Sequence, residues 1–529
     1  MLEGERSYQR GQGNLVPSDN TSSIPENPVI PKAQEKPWYI QHFTKLLIGF
    51  GLGGGAVALI LPWVLWLHCG MSSGSSDQLR LHLLYVTGGI IAVLTLLQTN
   101  WKNQGDRLKI DADIKKNEQD AEKNERDHIR QVHAERRSRY TKAVEQLANE
   151  KAAVRLGGVY TLVGLVDEWL TDNTLDPEEQ QKEGQVIINN LCSYIRSPFP
   201  LAAKVEDLQS DVIPPNYVGD FVTDQATFRE EQDVRRTIFA EMSNRSSILA
   251  KDENGEASVT PGFWSGFNID FTWAPIFYPL DNLTIEKAIF SSAKFYGEAN
   301  FFKTTFIQDT DFSRAVFTGY ANFIGTTFRG NTDFSQATFT DEVIFNQATF
   351  IGDASFYLTF FTDNAHLSKA TFTCSGDFSE AIFKAESYFY WTTFNGNTIF
   401  SRATFTSNVH FGWTTFTSTT EFIGSNFTGD VKFVGAIFLN FKPTFSAGKS
   451  HARFSTDASP QDYVFFVMPR SKRIGLGTAT FLDKSFAIPC GAILYDPDSW
   501  DEEKQEYTRV SEPAKPLDES NGAEENKPE

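Results

Sequence analysis

The side chains that most often perform catalysis or bind metals are few and widely spaced in this sequence. Among its eight histidines, only His128 and His133 lie near each other, five residues apart in a strongly charged stretch where a solvated helix surface is expected. Serine-nucleophile, phosphate-loop and zinc-protease motifs are absent. The cysteines show no metal or redox spacing: Cys69, Cys192, Cys374, Cys490. The sequence therefore predicts a protein that is not an enzyme, with no catalytic residue, no cofactor and no metal site.

Recognition of another protein by aromatic side chains is the chemistry with clearer candidates. Tyr357, Tyr390, Trp391 and Trp413 stand in two-residue corner segments that are usually polar in the same region. Surface Tyr and Trp are enriched in protein interfaces. These four residues are the predicted protein-binding surface, and their alternative role is packing within the chain, over a neighbouring wall or against a helical module.

The residues around these aromatics repeat with a strict spacing. From Phe290 to Phe438, ladder positions follow one another at alternating gaps of five and six residues, so the repeating unit has eleven. Of 28 ladder positions, 27 are Phe and one is Leu367, and the residue two places earlier is always Ala, Thr, Val, Ser or Gly. Such fixed-period similarity is the signature of a repeat architecture.

The spacing within each unit indicates strands. Residues at i and i+2 point to the same side of a β-strand, so the small residue and the Phe face inward together while the residue between them faces solvent. Gaps of five and six do not keep one face of a helix. Turn-like segments such as residues 329–331 and 395–397 separate the short arms. We therefore expect a solenoid in which each arm pairs with the equivalent arm one coil away.

This ladder resembles the pentapeptide-repeat family, whose unit is a small residue, a variable residue, a large apolar residue and two more. The resemblance implies a right-handed, four-sided β-helix. The sixth residue in every second unit is a departure from the family pattern, and it predicts coils of 22 residues in place of 20. On that prediction Trp391 and Trp413, 22 residues apart, lie on one corner.

Two apolar segments predict a transmembrane helical hairpin over residues 38–101. The first span, about 46–67, is uncharged; the second, about 79–97, is shorter and carries His82, so a buried soluble helix is its alternative. The Gly51–Gly55 run permits close helix contact, either with Gly88 and Gly89 or between copies of the chain. Lys and Arg flank the outer ends of both spans, which places both termini and the solenoid in the cytoplasm of a multi-pass plasma-membrane protein.

The remaining segments complete the expected domain order. Residues 1–37 are predicted to be disordered, 102–150 a charged helical stalk, 151–261 a helical linker module, and 501–529 a disordered acidic tail. Residues 262–446 form the β-helix with an imperfect first coil, and 447–500 its C-terminal cap. Trp264, Phe267, Phe271 and Trp273 are expected to cover the open first coil. The order resembles membrane-anchored bacterial pentapeptide-repeat proteins, a resemblance that implies architecture and location alone.

Composition narrows the function classes. A net charge of −19 and a pI near 5 disfavour nucleic acid as a partner. The leading hypothesis is a non-enzymatic, membrane-tethered scaffold whose partners are the lipid bilayer and an unidentified protein, with a homo-oligomer through the Gly-rich spans or solenoid ends also open. One alternative is a DNA mimic that protects topoisomerases, and another is an accessory subunit of a membrane enzyme or transport system with its site in residues 450–500.

Overall fold

A computed structural model describes residues 36–251, 257–504 and 506–516. The chain separates into two compact units, residues 1–128 and 129–529. The predicted disordered N-terminus, residues 1–37, falls almost entirely outside the described residues. So does the part of the predicted disordered tail from residue 517 to residue 529.

The first unit contains a helical hairpin. After a short helix, α1 (Trp38–Gln41), come α2 (Phe43–Cys69) and α3 (Ser73–Leu147), both long and apolar enough to cross a membrane. Gly70 ends α2 with φ of 67°, a left-handed conformation that glycine adopts without steric cost. A Cβ on Gly54 would lie 2.3 Å from the Thr87 side chain. Close packing in the Gly-rich run is thus against Thr87, not Gly88 or Gly89, because both of those glycines face open space.

The helical part of the second unit packs around a single core. It comprises the end of α3, α4 (Ala152–Leu170), α5 (Pro177–Arg196), a 3₁₀ turn (Pro200–Lys204), α6 (Val205–Gln209) and α7 (Phe221–Ser246). Asp176 caps α5 by accepting a hydrogen bond from the backbone N–H of Glu179, with a proline at the first helical position. This helical part and the β-solenoid after it agree with the predicted fold class.

A buried arginine joins α5 to α7. The Arg235 guanidinium is 1% exposed and donates hydrogen bonds to Glu231 Oε1 at 2.7 Å, to the Ile195 carbonyl at 2.7 Å and to the Ser197 carbonyl at 3.0 Å. A buried charge is tolerated only when its donors are paired in this way. The end of α5 is therefore fixed against α7.

A second polar cluster holds the end of α3 against the loop after α4. Asp172 accepts hydrogen bonds from Arg136, from His133 Nε2 at 2.9 Å and from Thr174 Oγ1 at 2.6 Å. Burial by itself raises the pKa of the Asp172 carboxyl, but these hydrogen bonds outweigh it and hold that pKa well below its usual range. His133, predicted to be a solvated surface residue, is thus a structural partner, because α3 packs beside α4 at this point.

The predicted helical module is not helical to residue 261. Helix α7 ends at Ser246, and two antiparallel strands follow, Ser247–Lys251 and Ala257–Pro261. These two strands pair with each other, and the spacing of apolar residues in the sequence does not reveal this contact.

The solenoid has four faces, numbered I to IV in the order in which the chain visits them. Equivalent strands pair in parallel at a separation of 22 residues, for example Thr310 with Thr332 and Phe317 with Phe339, which confirms the coil length. Each strand is very short, because the chain turns at every face. Face I contains Ile269–Asp270, Ala288–Ile289, Thr310–Asp311, Thr332–Asp333, Ala354–Ser355, Gly376–Asp377, Thr398–Ile399 and Thr420–Glu421; face II contains Pro275–Ile276, Lys294–Phe295, Val316–Phe317, Thr338–Phe339, Phe360–Phe361, Ile382–Phe383, Thr404–Phe405, Asn426–Phe427, Arg453–Ser455 and Ile493–Tyr495. Face III contains Ala299–Asn300, Ala321–Asn322, Val343–Ile344, Ala365–His366, Ser387–Tyr388, Val409–His410, Val431–Lys432 and Tyr463–Val464; face IV contains Thr284–Ile285, Thr305–Phe306, Thr327–Phe328, Thr349–Phe350, Thr371–Phe372, Thr393–Phe394, Thr415–Phe416 and Ile437–Phe438.

The ladder residues fill the centre of the coils as predicted. All 28 are almost completely buried, and Phe rings one coil apart are stacked, as for Phe312 and Phe334 with centroids 4.8 Å apart and planes 2° apart. Several inward hydroxyls donate to a carbonyl of a neighbouring coil, as Thr326 Oγ1 does to the Phe301 carbonyl at 2.9 Å, whereas those of Thr332, Ser387 and Thr420 have no partner among the described residues. The core therefore combines stacked aromatics with small residues that leave them room.

The helical part covers the first coil of the solenoid. Trp264, Phe267 and Phe271 are buried, as predicted, and the Phe239 ring of α7 lies 4.5 Å from that of Phe271. Trp273 does not contribute to this cover: its side chain is 74% exposed. It stands at a turn with φ of 65°, where its side chain points away from the core.

The C-terminal segment continues two faces of the solenoid. Phe445, shifted by one residue, still stacks on Phe422 with centroids 5.0 Å apart. The strand pairs Ser446–Ala447 with Ser450–His451, Leu476–Phe481 with Lys484–Pro489 and with Lys515–Pro516, and Trp500–Asp501 with Glu506–Tyr507 are antiparallel, and 3₁₀ turns lie at Pro460–Asp462 and Pro497–Ser499. The prediction of disorder from residue 501 is wrong for residues 501–504 and 506–516, because Asp501, Glu506–Tyr507 and Lys515–Pro516 lie in paired strands.

Replacement of one central ladder residue tests the contribution of the aromatic stack. Phe345→Ala removes a fully buried ring between Phe323 and Leu367, and we expect it to lower the free energy of unfolding by about 3–5 kcal/mol. The neighbouring Ile344→Ala, on the outer side of the same strand, should cost less than about 1 kcal/mol. Urea denaturation followed by circular dichroism measures both, and equal losses would contradict the inward assignment of the ladder.

Candidate functional site

Two edges of the solenoid carry the tight turns. The first edge lies between faces I and II, and the second lies between faces III and IV. The second residue of each turn has a positive φ, between 53° and 73°, a conformation that favours glycine. On the second edge these residues are Asn282, Lys303, Gly325, Gln347, Lys369, Trp391, Trp413 and Gly435.

The second edge brings together three of the four predicted surface residues. Tyr390 and Trp391 form one turn, and Trp413 stands in the turn of the next coil, where the Trp391 N–H donates to the Gly412 carbonyl at 3.1 Å. Tyr357 lies on the first edge, because it is 33 residues, or one and a half coils, before Tyr390. The two edges are separated by two faces on either side, so Tyr357 belongs to a different surface.

The exposed apolar surface of the second edge extends beyond the predicted residues. In the next turn along this edge, the Val434 carbonyl accepts a hydrogen bond from the Trp413 N–H at 2.9 Å, and the carbonyl of Phe466 in the cap accepts one from the Gly435 N–H at 2.9 Å. Trp391 is 56% exposed, Trp413 46% and Phe466 64%. We call Tyr390, Trp391, Trp413, Val434 and Phe466 the aromatic edge. Sequence reasoning missed Val434 and Phe466, because the second lies in the cap, where the 22-residue spacing no longer holds.

The aromatic side chains of this edge lie across the backbone of neighbouring coils. A Cβ on Gly435 would be 2.9 Å from the Trp413 ring, and one on Gly412 would be 2.7 Å from the Tyr390 ring. Glycines at these two positions therefore make room for the rings. The left-handed backbone at positions 391 and 413 sterically favours glycine and gives tryptophan no energetic advantage. The backbone accordingly does not account for the choice of tryptophan.

A stack of polar rings lies beside the aromatic edge on face III. The rings of His366 and Tyr388 are 4.7 Å apart and those of Tyr388 and His410 are 5.2 Å apart, all nearly parallel. His366 Nε2 lies 2.8 Å from Glu342 Oε1, and the Tyr388 hydroxyl donates to Glu386. From the sequence the histidines were interpreted as scattered. His366, Tyr388 and His410 are nevertheless separated by 22 residues each, so the coil length alone could have grouped them.

His410 is the most enclosed member of this stack. It is 9% exposed between the Tyr388 and Tyr390 rings, and its Nδ1 has no hydrogen-bond partner among the described residues. Burial lowers the pKa of His410 below its usual range, and the Lys432 ammonium lowers it further. His410 is therefore neutral at pH 7, and its protonation opposes folding. Stability contributed by the neutral ring is present above the ordinary histidine pKa and is lost as the pH falls below it.

An acidic column on face I has a structural role. The carboxylates of Asp311, Asp333 and Asp377 accept hydrogen bonds from the backbone N–H two residues on, at 2.7–2.8 Å. Asp309 and Asp353 accept hydrogen bonds from the backbone of the next coil at 2.8 and 2.9 Å. These side chains close the turns and link the coils. Over the described residues, no group of three or more His, Cys, Asp or Glu could hold a metal ion.

The comparisons with known proteins identify the repeat. The family model of pentapeptide repeats, which spans nine copies, matches residues 284–327 and 312–359, within the solenoid. No curated protein matches the chain, and no solved structure matches it.

The charge environment of His410 can be tested by one substitution. Lys432→Met removes the ammonium group that Asp430 binds at 2.8 Å, so the pKa of His410 should rise towards its usual value. Two-dimensional NMR of the imidazole protons across pH 4–8 reports the midpoint. Lys384→Met on the neighbouring face is the matched control and should leave the midpoint unchanged; a fall in the His410 midpoint with Lys432→Met would contradict the assignment.

Proposed function

Taking the solenoid as a pentapeptide-repeat β-helix, we propose that this chain is a non-enzymatic scaffold that presents a rigid rod to a protein partner through the aromatic edge. Proteins of this repeat family are generally structural or interaction proteins. The observation that carries the proposal is the exposure of Trp391 and Trp413 in turn positions where the backbone favours glycine.

The size and placement of the aromatic edge fit a binding hot spot. Tryptophan and tyrosine dominate the energetics of interfaces, where a few central residues supply most of the affinity. The rings are held against a rigid backbone by Gly412 and Gly435, which reduces the entropy lost on binding. The polar rings of face III adjoin the same surface and would form part of its rim.

A pair of charge substitutions tests the aromatic edge. Trp391→Glu with Trp413→Glu should abolish capture of partners by proximity labelling from the full-length chain, because buried carboxylates oppose an apolar interface. The fold should persist, since Glu380 already occupies the equivalent turn position on the first edge with φ of 59°.

The matched control is Gln336→Glu with Gln347→Glu, which adds the same charge at turn positions of the same conformation. This control should retain every partner that the unaltered chain labels. Loss of circular dichroism signal in the tryptophan variant would show that the rings are structural. If the labelled proteins were all nucleoid proteins, the DNA-mimic alternative would be favoured. The charge of the solenoid argues against that alternative, because residues 288–446 contain 13 acidic and nine basic residues.

We also propose that the helical hairpin tethers the scaffold to a membrane, with the solenoid in the cytoplasm. Large apolar side chains on α2 and on the first part of α3 are exposed within the chain, including Leu52, Trp63 and Leu96. Such surface is costly in water and favourable in lipid. Arg80 is the only Lys or Arg between the spans, whereas Lys45 precedes the first and Lys102 follows the second.

Native cysteines allow a direct test of this topology. Cys69, at the end of α2, and Cys374, on the solenoid, are both exposed, whereas Cys192 is buried. In right-side-out membrane vesicles, a membrane-impermeant maleimide should label the C374S/C490S variant and spare the C69S/C490S variant, with the reverse in inverted vesicles. A C69S/S72C/C374S/C490S variant repeats the first arm with the cysteine moved into the loop after α2. Labelling of Cys374 from outside, or recovery of the chain in the soluble fraction, would contradict the proposal.

A further inference from the structure

A groove lies between face II of the first coils and the segment that follows α5. Its volume is about 540 Å³. The floor is the outward column of face II, Pro275, Lys294 and Val316, in three successive coils. One wall is the first edge, and the other wall is the segment 196–200, which contains two prolines.

The wall opposite the solenoid edge is firmly held. Arg196 donates to the Asp270 carbonyl at 2.9 Å and to its carboxylate at 2.7 Å. The Phe199 ring stacks on Phe277 with centroids 4.9 Å apart, and Arg235 donates to the Ser197 carbonyl. The groove is therefore preformed, which lowers the entropic cost of binding.

The charge of this groove is opposite to that of the chain. Lys294 and Arg314 are exposed, and within the described part of the chain neither takes part in an ion pair. The Lys294 ammonium lies 4.7 Å from the centre of the Tyr296 ring, and Arg314 Nε donates only to Gln336 at 3.3 Å. The groove thus offers two unpaired cations in a protein whose net charge is −19. Asp270 is near, but it already binds Arg196.

The apolar residues of the groove suit a polypeptide. Trp273 projects from the first edge and is 74% exposed, in a left-handed turn that does not require tryptophan. Together with Pro275, Val316 and Tyr296 it provides aromatic and aliphatic surface of the kind that binds extended, proline-containing segments. Successive coils are about 4.8 Å apart, so the three-coil floor is about 10 Å long and could contact several residues of an extended chain.

We propose that this groove binds a short, extended acidic peptide segment of a partner protein. The carboxylates of the peptide pair with Lys294 and Arg314, and its apolar residues contact Trp273 and the proline wall. The site lies on the first edge and face II, apart from the aromatic edge, so the proposal does not depend on the proposed function.

The test uses the full-length chain in nanodiscs of neutral phosphatidylcholine. The probe is a fluorescein-labelled peptide of alternating glutamate and proline, (Glu-Pro)₃-Glu, measured by fluorescence anisotropy, with its glutamine counterpart as the uncharged control. We expect saturable binding of the glutamate peptide and at least tenfold weaker binding of the glutamine peptide. Binding should weaken as salt is raised, since exposed charges are screened.

Two variants with equal changes in net charge assign the site. Lys294→Glu with Arg314→Glu should raise the Kd at least tenfold, whereas Lys303→Glu with Lys369→Glu, at exposed positions of the second edge, should change it less than twofold. Trp273→Ala should raise the Kd several-fold and leave the thermal unfolding midpoint unchanged, because the side chain packs on nothing in the core.

Several results would overturn the proposal. These are no saturable binding of the glutamate peptide, equal loss in both double variants, or equal binding of the glutamine peptide. Phosphatidylglycerol vesicles and ATP serve as alternative anionic probes. If the peptide does not bind, but one of these probes does and loses its binding in the Lys294→Glu, Arg314→Glu variant, the groove binds another anion and the peptide assignment is wrong. Loss of partner labelling at the aromatic edge would be a separate result, measured on different variants.

Discussion

The structure depends on one geometric constraint, the pairing of each strand between Ala288 and Phe438 with its equivalent 22 residues away. Continuous pairing on all four faces through successive short turns requires each of these coils to contain the same number of residues. The stacked Phe rings have the same repeat, so the backbone and the core satisfy one spacing together. An insertion of a single residue would shift the ladder to the outer side of the strands. This explains why the alternation of five and six continues without a break from Phe290 to Phe438.

A solenoid built in this way must close its two ends. At the start, α7 and the residues around Trp264 cover the first coil, and Trp264 Nε1 donates to Asp167 of α4 at 2.8 Å. At the other end, Arg453–Ser455 and Tyr463–Val464 extend two faces in parallel pairing, and antiparallel strands complete the cap. The helical part is thus a structural requirement of the solenoid, because it removes an exposed core and an unpaired strand edge.

The repeat also decides where recognition can occur. Inward positions are fixed by packing and the strand backbones by pairing, so variation is confined to outward side chains, the two turn edges and the caps. The aromatic edge and the basic groove occupy two such places. Both use tryptophan at a turn position with positive φ, Trp391 and Trp413 in one and Trp273 in the other. A rigid rod holds these side chains at fixed intervals of one coil, which favours binding of extended or flat partner surfaces.

The sequence by itself determined the coil, the inward ladder and the two apolar helices, because each depends on local spacing or on a continuous apolar run. It also predicted that Trp391 and Trp413 share a corner, since their separation is one coil. The tertiary structure decided what depends on contacts between distant segments. Trp273 was expected in the core and is on the surface, Tyr357 lies on the other edge, and His366, Tyr388 and His410 form a single stack. The groove beside Lys294 exists because residues 196–200 pack against the solenoid, and no periodicity in the sequence records that contact.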